Sequence, residues 1–233
     1  MCRVNLGDST GSTGLCMNHI AGAVDFKSAF GVSRETIARL ETYAGLLVQW
    51  QKTTNLVAAS TLPGLWQRHF ADSAQLLVLA PRGPVTWVDL GSGGGFPGLV
   101  IGCMLAEDAG SRLILIESDG RKCAFLREVV RQTSLGTLVT VDILTSRIEM
   151  AANTASVGSV DVISARALAP MGRLLGWCQP FFGSETVALL PKGRDAETEL
   201  AAARRIWRFE AELVPSQTQR DGRIVVLRGL KRA

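Results

Sequence analysis

The sequence predicts an α/β protein with a mostly parallel sheet, a short helical region before the sheet and an antiparallel strand pair at its end. From residue 85 to residue 191, short apolar runs rich in β-branched residues alternate with helical segments, which is typical of a parallel sheet covered on both faces. Near the C-terminus, two β-rich runs are separated only by a short polar segment that contains Asp221 and Gly222, which is typical of a hairpin.

The N-terminal region is expected to form a loose leader and a helical cap. Residues 1–32 are rich in Gly, Ser and Thr and lack a long apolar segment, so they resemble neither a signal peptide nor a membrane span. Ser33 can cap a helix in which apolar residues recur at three- and four-residue steps. A second stretch with this period covers residues 62–80. We therefore expect the leader over residues 1–32 and the cap over residues 33–82.

The remaining residues, 83–233, are expected to form one Rossmann-like domain. The sequence APRGP at residues 80–84 breaks regular structure and marks its beginning. Beyond it lie seven β-rich runs, over residues 85–90, 113–118, 138–143, 161–165, 186–191, 209–215 and 222–229. The sheet is thus expected to have seven strands, mostly parallel, with an antiparallel C-terminal strand.

The composition excludes several classes of protein. With 233 residues and 47% hydrophobic residues, the chain can build a sizeable core. Its five cysteines form no C-x-x-C pair and it has only two histidines, so neither a zinc site nor a disulfide framework is expected. We predict reduced thiols, no metal and a cytoplasmic location. The net charge of +4 permits a polyanionic partner without requiring one.

A glycine-rich turn, VDLGSGGGFPG at residues 88–98, follows the first predicted strand. Glycine has no side chain, so five glycines in one turn let a ligand approach the backbone closely. Two nucleotide-binding patterns overlap in this turn. Residues 93–98 match the dinucleotide pattern G-x-G-x-x-G, although Pro97 stands where a long helix should already run. The acid Asp89, followed by glycines at alternate positions, fits better and resembles the first motif of class I S-adenosylmethionine-dependent methyltransferases.

Glu117 ends the second predicted strand, where a carboxylate can accept hydrogen bonds from the hydroxyl groups of a ribose. Both patterns need such an acid, so Glu117 indicates a nucleoside-containing cofactor without choosing between them. We expect S-adenosyl-L-methionine. The alternatives are an NAD-dependent oxidoreductase and a non-catalytic nucleotide-binding or RNA-binding module of the same fold.

Further segments in the same order extend the resemblance to a single family. They are NLVAASTLPGLWQRHFADSAQL before the glycines, GSGGGFPG in the turn, and then ESDGRKCAFLRE, SRIE and SARA. From about Thr36 to the C-terminus, the chain resembles the bacterial glucose-inhibited division protein B family, the small-subunit rRNA methyltransferase G. The resemblance implies transfer of a methyl group from S-adenosylmethionine to N7 of a guanosine in 16S rRNA.

The same resemblance implies which residues contact the cofactor. These positions are Gly91, Phe96, Ile148, Glu149 and Arg166. The expected partner is 16S rRNA, naked or in the 30S ribosomal subunit. We expect a monomer without membrane contact.

The chemistry that the resemblance implies needs no general base. N7 of neutral guanine carries no proton, so the rate can come from alignment of donor and acceptor and from electrostatics. We therefore predict no catalytic residue, and Cys123, on the apolar stripe of a helix, is expected to pack in the core. His69 and Lys192 are candidate substrate contacts, with a structural hydrogen bond and a solvated turn lysine as the respective alternatives.

Basic residues gather in two segments that could attract RNA phosphates. The first contains Arg121, Lys122, Arg127 and Arg131, and the second contains Arg204, Arg205, Arg208, Arg228, Lys231 and Arg232.

Overall fold

The structure is a computed structural model and describes residues 19–107, 109–152 and 157–233. Its strands are β1 (Thr86–Leu90), β2 (Arg112–Glu117), β3 (Thr140–Thr145), β4 (Val162–Ser164), β5 (Val187–Lys192), β6 (Trp207–Pro215) and β7 (Arg223–Arg232). They form one sheet in the order β3-β2-β1-β4-β5-β7-β6. β1 to β5 are parallel, and β7 runs antiparallel to both β5 and β6. The predicted mostly parallel sheet with an antiparallel C-terminal strand is therefore confirmed.

The helices cover both faces of the sheet. Before β1 lie α1 (Ala23–Phe30), α2 (Arg34–Trp50) and a run of short helical turns from Ala59 to Leu79 that includes α3 (Asp72–Ala74). After β1 come α4 (Gly98–Leu105), α5 (Gly120–Gln132), α6 (Ile148–Ala151), α7 (Met171–Cys178) and α8 (Ala196–Ala203). Within the described parts of the chain, no helix is long and apolar enough to cross a membrane.

Two hydrophobic cores lie on opposite faces of the sheet, because successive strand residues point in opposite directions. Trp87 packs in the core that contains α1, α2, α4 and α5, whereas its neighbour Val88 packs in the core with α6, α7 and α8. The central strands are buried on both faces, which explains their continuous apolar sequences. Residues 33–82, the predicted cap, contribute side chains to the first core together with the sheet.

Residues 19–32 differ from the loose leader that the composition predicts. They contain α1, whose Phe26 is fully buried and lies edge-on to Trp66, with the ring centroids 5.7 Å apart. Phe26 and Phe30, one helical turn apart, both pack in the first core, and the backbone N–H of Ile20 donates a hydrogen bond of 2.8 Å to Gln67 of the cap. Composition does not predict this, because the segment is otherwise rich in Gly, Ser and other small residues. Residues 1–18 of the predicted leader lie outside the described residues.

Cys103, Cys123 and Cys178 are buried free thiols. Cys123 packs in the interior as predicted, and its Sγ donates a hydrogen bond of 3.3 Å to the backbone carbonyl of Glu117. Burial raises the pKa values of Cys103 and Cys178 to about 12, so these thiols stay protonated at neutral pH.

Candidate cofactor and substrate cleft

A cleft of about 800 Å³ lies at the edge of the sheet where the parallel strands end. The cap, the loops after β1 to β5 and the loop between β6 and β7 form its walls. Eight residues predicted from the sequence line this one cleft: His69, Gly91, Phe96, Glu117, Ile148, Glu149, Arg166 and Lys192. The structure therefore brings all the candidate positions together, as expected for the carboxyl edge of an open parallel sheet.

The first part of the glycine turn (residues 91–98) forms a wall of the cleft. Gly91 and Gly93 have φ angles of +66° and +54°, a left-handed conformation that favours glycine. The turn is held against β2, because Gly91 N–H donates to the Ile116 carbonyl at 2.9 Å. A Cβ on Gly91 would lie 2.5 Å from Cδ1 of Leu168, which follows the neighbouring strand β4.

The second part of the glycine turn packs against side chains of α2 and β2. A Cβ on Gly95 would lie 2.6 Å from the Tyr43 hydroxyl, and a Cβ on Gly98 would lie 2.4 Å from Cδ2 of Leu115. Tyr43 also donates a hydrogen bond of 2.5 Å to the Gly94 carbonyl. These glycines thus allow α2 and β2 to approach the turn.

Asp89 holds the glycine turn from the protein interior. Its carboxylate accepts a hydrogen bond of 2.7 Å from Ser164 Oγ and one of 3.2 Å from the backbone N–H of Gly98. Trp87 Nε1 donates in turn to Ser164 at 2.8 Å. Burial raises the pKa of Asp89 to about 6, although these hydrogen bonds favour the charged form. Asp89 does not line the cleft and acts as an internal brace.

Glu117 joins the glycine turn to the next loop. Its Oε2 accepts a hydrogen bond of 2.9 Å from Gly93 N–H, and its Oε1 accepts one of 2.8 Å from Asp119 N–H. Each carboxylate oxygen can accept a second hydrogen bond. Glu117 can therefore hold the turn in place and still accept hydrogen bonds from a ribose in the cleft.

Arg166 connects the loop after β4 with the cap. Its guanidinium donates to the Arg68 carbonyl at 3.0 Å, to His69 Nδ1 at 2.7 Å and to Asp72 Oδ2 at 3.4 Å. Its Cζ also lies 5.2 Å from the ring centroid of Phe96. These contacts fix the orientation of the side chain, which is 18% exposed in the cleft wall.

His69 is a neutral positioning group in this arrangement. Arginine can only donate, so Nδ1 of His69 accepts and the proton lies on Nε2, which is 2.7 Å from Thr61 Oγ1. Burial, followed by the charges of Arg166 and Arg68, lowers the pKa of His69 to about 3. Because both ring nitrogens are engaged, the structural role that we considered for His69 accounts for its contacts.

Phe96 lies under the cap and is almost completely buried. Its ring stacks on Tyr43 with the centroids 5.2 Å apart and lies 4.8 Å from the ring of His69. The side chain thus forms the floor of the cleft beneath Arg166.

Ile148 and Glu149 begin α6, directly after β3. Ile148 is buried, whereas Glu149 is exposed and accepts a hydrogen bond of 2.8 Å from Trp177 Nε1. The pKa of Glu149 is lowered by a backbone hydrogen bond, by Trp177, and by the nearby charges of Arg147 and Arg173.

Lys192 is held by the protein in the cleft wall. Its Nζ donates to the Ala169 carbonyl at 2.9 Å and to Glu199 Oε2 at 2.8 Å. Glu199 also accepts a hydrogen bond of 2.6 Å from the backbone N–H of Met171. The pair therefore fixes the loop that carries Arg166, and a contact between Lys192 and the substrate remains a prediction.

Sequence reasoning missed a polar connection between the cap and the β6–β7 loop. Asp72 Oδ1 accepts hydrogen bonds of 2.7 Å from Thr218 and 3.0 Å from Gln75. Gln75 Oε1 accepts in turn from the backbone of Gln217 at 2.9 Å. Asp72 and Thr218 are 146 positions apart, so no local pattern could connect them.

Comparison with known proteins identifies the family of the chain. Residues 36–225 match the protein family described as rRNA small subunit methyltransferase G. The chain belongs to this family. The match decides between the two patterns that overlap in the glycine turn, and it favours the methyltransferase motif over the dinucleotide pattern.

Close relatives share most of their length with the chain. A ribosomal RNA small subunit methyltransferase G from Parvibaculum lavamentivorans is 50% identical over 211 residues, which are 91% of each chain. A protein of the same name from Nitrobacter hamburgensis is 48% identical over 204 residues, which cover 86% of this chain and 75% of that relative. The family resemblance noted in the sequence is thus confirmed.

Solved structures confirm the fold. A methyltransferase from Geobacter sulfurreducens covers 84% of this chain and 96% of its own, with a TM-score of 0.52 and 16% identity. A SAM-dependent methyltransferase from Aquifex aeolicus covers 71% of this chain and 92% of its own, with a TM-score of 0.51 and 15% identity.

Proposed function

We propose that the protein transfers a methyl group from S-adenosylmethionine to N7 of a guanosine in the 16S rRNA of the small ribosomal subunit. The observation that carries the proposal is the meeting of the glycine turn, Glu117, the start of α6 and Arg166 in one cleft. The family of the chain supports the reaction class and the rRNA substrate.

The residues of the cleft fit the cofactor. A volume of about 800 Å³ lies within the range of small-molecule sites and leaves space for a second group beside the cofactor. Gly91 and Gly93 present backbone without side chains, and Glu117 keeps acceptor capacity for ribose hydroxyl groups. Ile148 and Glu149, at the start of α6 after β3, line the cleft beside Glu117 of the neighbouring strand β2. S-adenosylmethionine bound there supplies the electrophilic methyl group.

The residues around the acceptor position are suited to orientation rather than to proton transfer. His69 has both ring nitrogens engaged, and its pKa of about 3 keeps it neutral. N7 of guanine needs no base, so a neutral His69 that does not take up a proton is consistent with methylation at this atom. Arg166, fixed by His69 and Asp72, is the candidate for orienting the reacting groups. Catalysis then comes from alignment and fixed charge.

The direct test compares modified nucleosides of 16S rRNA from a deletion strain and its parent. We expect N7-methylguanosine to disappear from one loop in the deletion strain and to return when the wild-type gene is restored. Unchanged N7-methylguanosine in the deletion strain would disprove the substrate. Calorimetric titration of the purified protein with S-adenosylmethionine and with NAD tests the cofactor separately, and only the first should bind.

A further inference from the structure

Trp177 and Arg173 form a stacked pair at the mouth of the cleft. Both lie on α7, four residues apart, and Cζ of Arg173 lies 4.7 Å from the ring centroid of Trp177. The hydrogen bond from Trp177 Nε1 to Glu149 fixes the plane of the ring. Arg173 is exposed, so the outer side of the pair faces solvent.

Two arginines near this pair are not engaged in ion pairs within the described residues. Arg147, the residue before α6, also lines the cleft, and the charges of Arg147 and Arg173 both act on Glu149. In the described parts of the chain, neither arginine forms an ion pair or a side-chain hydrogen bond. In the described residues, two guanidinium groups without an ion pair thus lie near Glu149 and a fixed aromatic ring.

We propose that Arg147, Arg173 and Trp177 form a subsite for an unpaired nucleotide of the RNA substrate at the mouth of the cleft. This inference rests on the proposed function. Unstacked RNA bases stack on aromatic rings and guanidinium planes, and arginine pairs with phosphate. The planar pair would receive the base and Arg147 would contact the phosphate. The adenine and ribose of S-adenosylmethionine carry no anionic group, so the two arginines favour an RNA nucleotide with its phosphate over the adenosine part of the cofactor.

The chain offers a matched control at the opposite edge of the sheet. Arg204 also stacks on an aromatic ring, with its Cζ 4.6 Å from the ring centroid of Phe209. Phe209 lies near the amino end of β6, which runs parallel to β5, so this pair is at the edge of the sheet away from the cleft. Arg204→Ala therefore removes the same kind of contact without touching the proposed subsite.

The first measurement is binding of a fluorescein-labelled single-stranded RNA, followed by anisotropy at one fixed salt concentration. Arg173→Ala is expected to weaken binding about tenfold, in the range of a lost base stack, and Trp177→Leu to weaken it similarly. Arg173→Lys keeps the charge but loses the plane, so it should recover only part of the affinity. Arg204→Ala should bind like the wild type.

The second measurement is methyl transfer to 30S subunits, together with calorimetric affinity for S-adenosylmethionine. Arg173→Ala is expected to raise KM for the 30S subunit about tenfold, with kcat and cofactor affinity unchanged. An unchanged RNA affinity, or weaker cofactor binding by Arg173→Ala, would overturn the subsite. If the wild type binds RNA through Arg173 but methylates no rRNA, the proposed function fails and the subsite stands.

Discussion

The two parts of the glycine turn differ in what surrounds them. Gly91, Gly93 and Gly95 all have a left-handed backbone. Gly91 and Gly93 line the cleft, whereas Gly95 and Gly98 lie against side chains of α2, α4 and β2. The first pair gives a ligand access to the backbone, and the second pair lets neighbouring elements pack closely. A cluster of glycines in a nucleotide-binding turn therefore has two physical causes, and substitutions can separate them.

Gly91→Val should break the function of the first part and leave the fold. The branched side chain would enter the cleft toward Leu168, whose flexible end can move, and it would adopt a φ of +66° only with strain. We expect affinity for S-adenosylmethionine to fall about a hundredfold, or about 2.7 kcal/mol. Calorimetric titration measures the affinity, and circular dichroism verifies the fold. Gly45→Val, which meets open space on α2, is the control. A folded Gly91→Val with wild-type affinity would refute the assigned pocket.

Gly98→Ala should show the opposite behaviour, with loss of stability and little change in cofactor affinity. The new methyl group would lie 2.4 Å from Leu115 and 2.8 Å from the Asp89 carboxylate in the interior. Overpacking of this kind lowers the free energy of unfolding by about 1–3 kcal/mol. Urea denaturation measures it. The control Gly45→Ala, in open space on a helix, should instead stabilise the protein by up to about 1 kcal/mol. Equal stability of Gly98→Ala and the wild type would contradict the packing role.

Arg166→Lys tests whether the contacts between Arg166 and the cap must have a fixed geometry. Lysine keeps the charge but cannot reproduce the contacts with Arg68, His69 and Asp72. We expect methyl transfer to 30S subunits to fall at least about tenfold, which corresponds to about 1.4 kcal/mol, with a small change in melting temperature. Arg112→Lys, at the ion pair with Asp142, is the matched control. Equal rates for Arg166→Lys and the wild type would return Arg166 to a structural role.

His69 should affect the pH dependence of stability. The pKa of His69 in the folded protein, about 3, lies below its ordinary value of 6.5. Between these pH values the imidazole is protonated in the unfolded chain but neutral in the folded protein. The free energy of unfolding should fall as the pH decreases from 6.5 toward 3. Asp89, with its pKa raised to about 6, contributes in the opposite direction between 3.8 and 6. Urea denaturation of the wild type and His69→Gln isolates the histidine, and the variant should lose less stability on acidification. Parallel curves would contradict the buried neutral imidazole.

The two basic segments found in the sequence also separate in the structure. Lys122 of the first segment lines the cleft. In the second segment, Arg228 pairs with Val187 at the beginning of β5, whereas Arg223 pairs with Lys192 at its end. The C-terminal cluster therefore lies at the edge of the sheet opposite the cleft. The number of basic residues in the sequence could not show the position of this cluster, because the position depends on the antiparallel direction of β7 beside β5.

Local sequence determined much of the protein. The seven strands, the glycine turn and the acids at the ends of β1 and β2 follow from hydrophobic period and turn chemistry, which act between near neighbours. The family resemblance supplied the cofactor positions on the same basis, since its motifs are contiguous segments. All of these residues reach one edge because parallel strands end together.

Tertiary structure decided what holds those residues in place. Only the folded chain places β7 between β5 and β6 and brings the β6–β7 loop to the cap. Arg166 and His69 are 97 positions apart, and the division of the glycine turn between ligand access and core packing depends on Tyr43 and Leu115 from distant segments. Such contacts leave no periodic signal in the sequence, because they arise from the close packing of elements whose spacing along the chain is arbitrary.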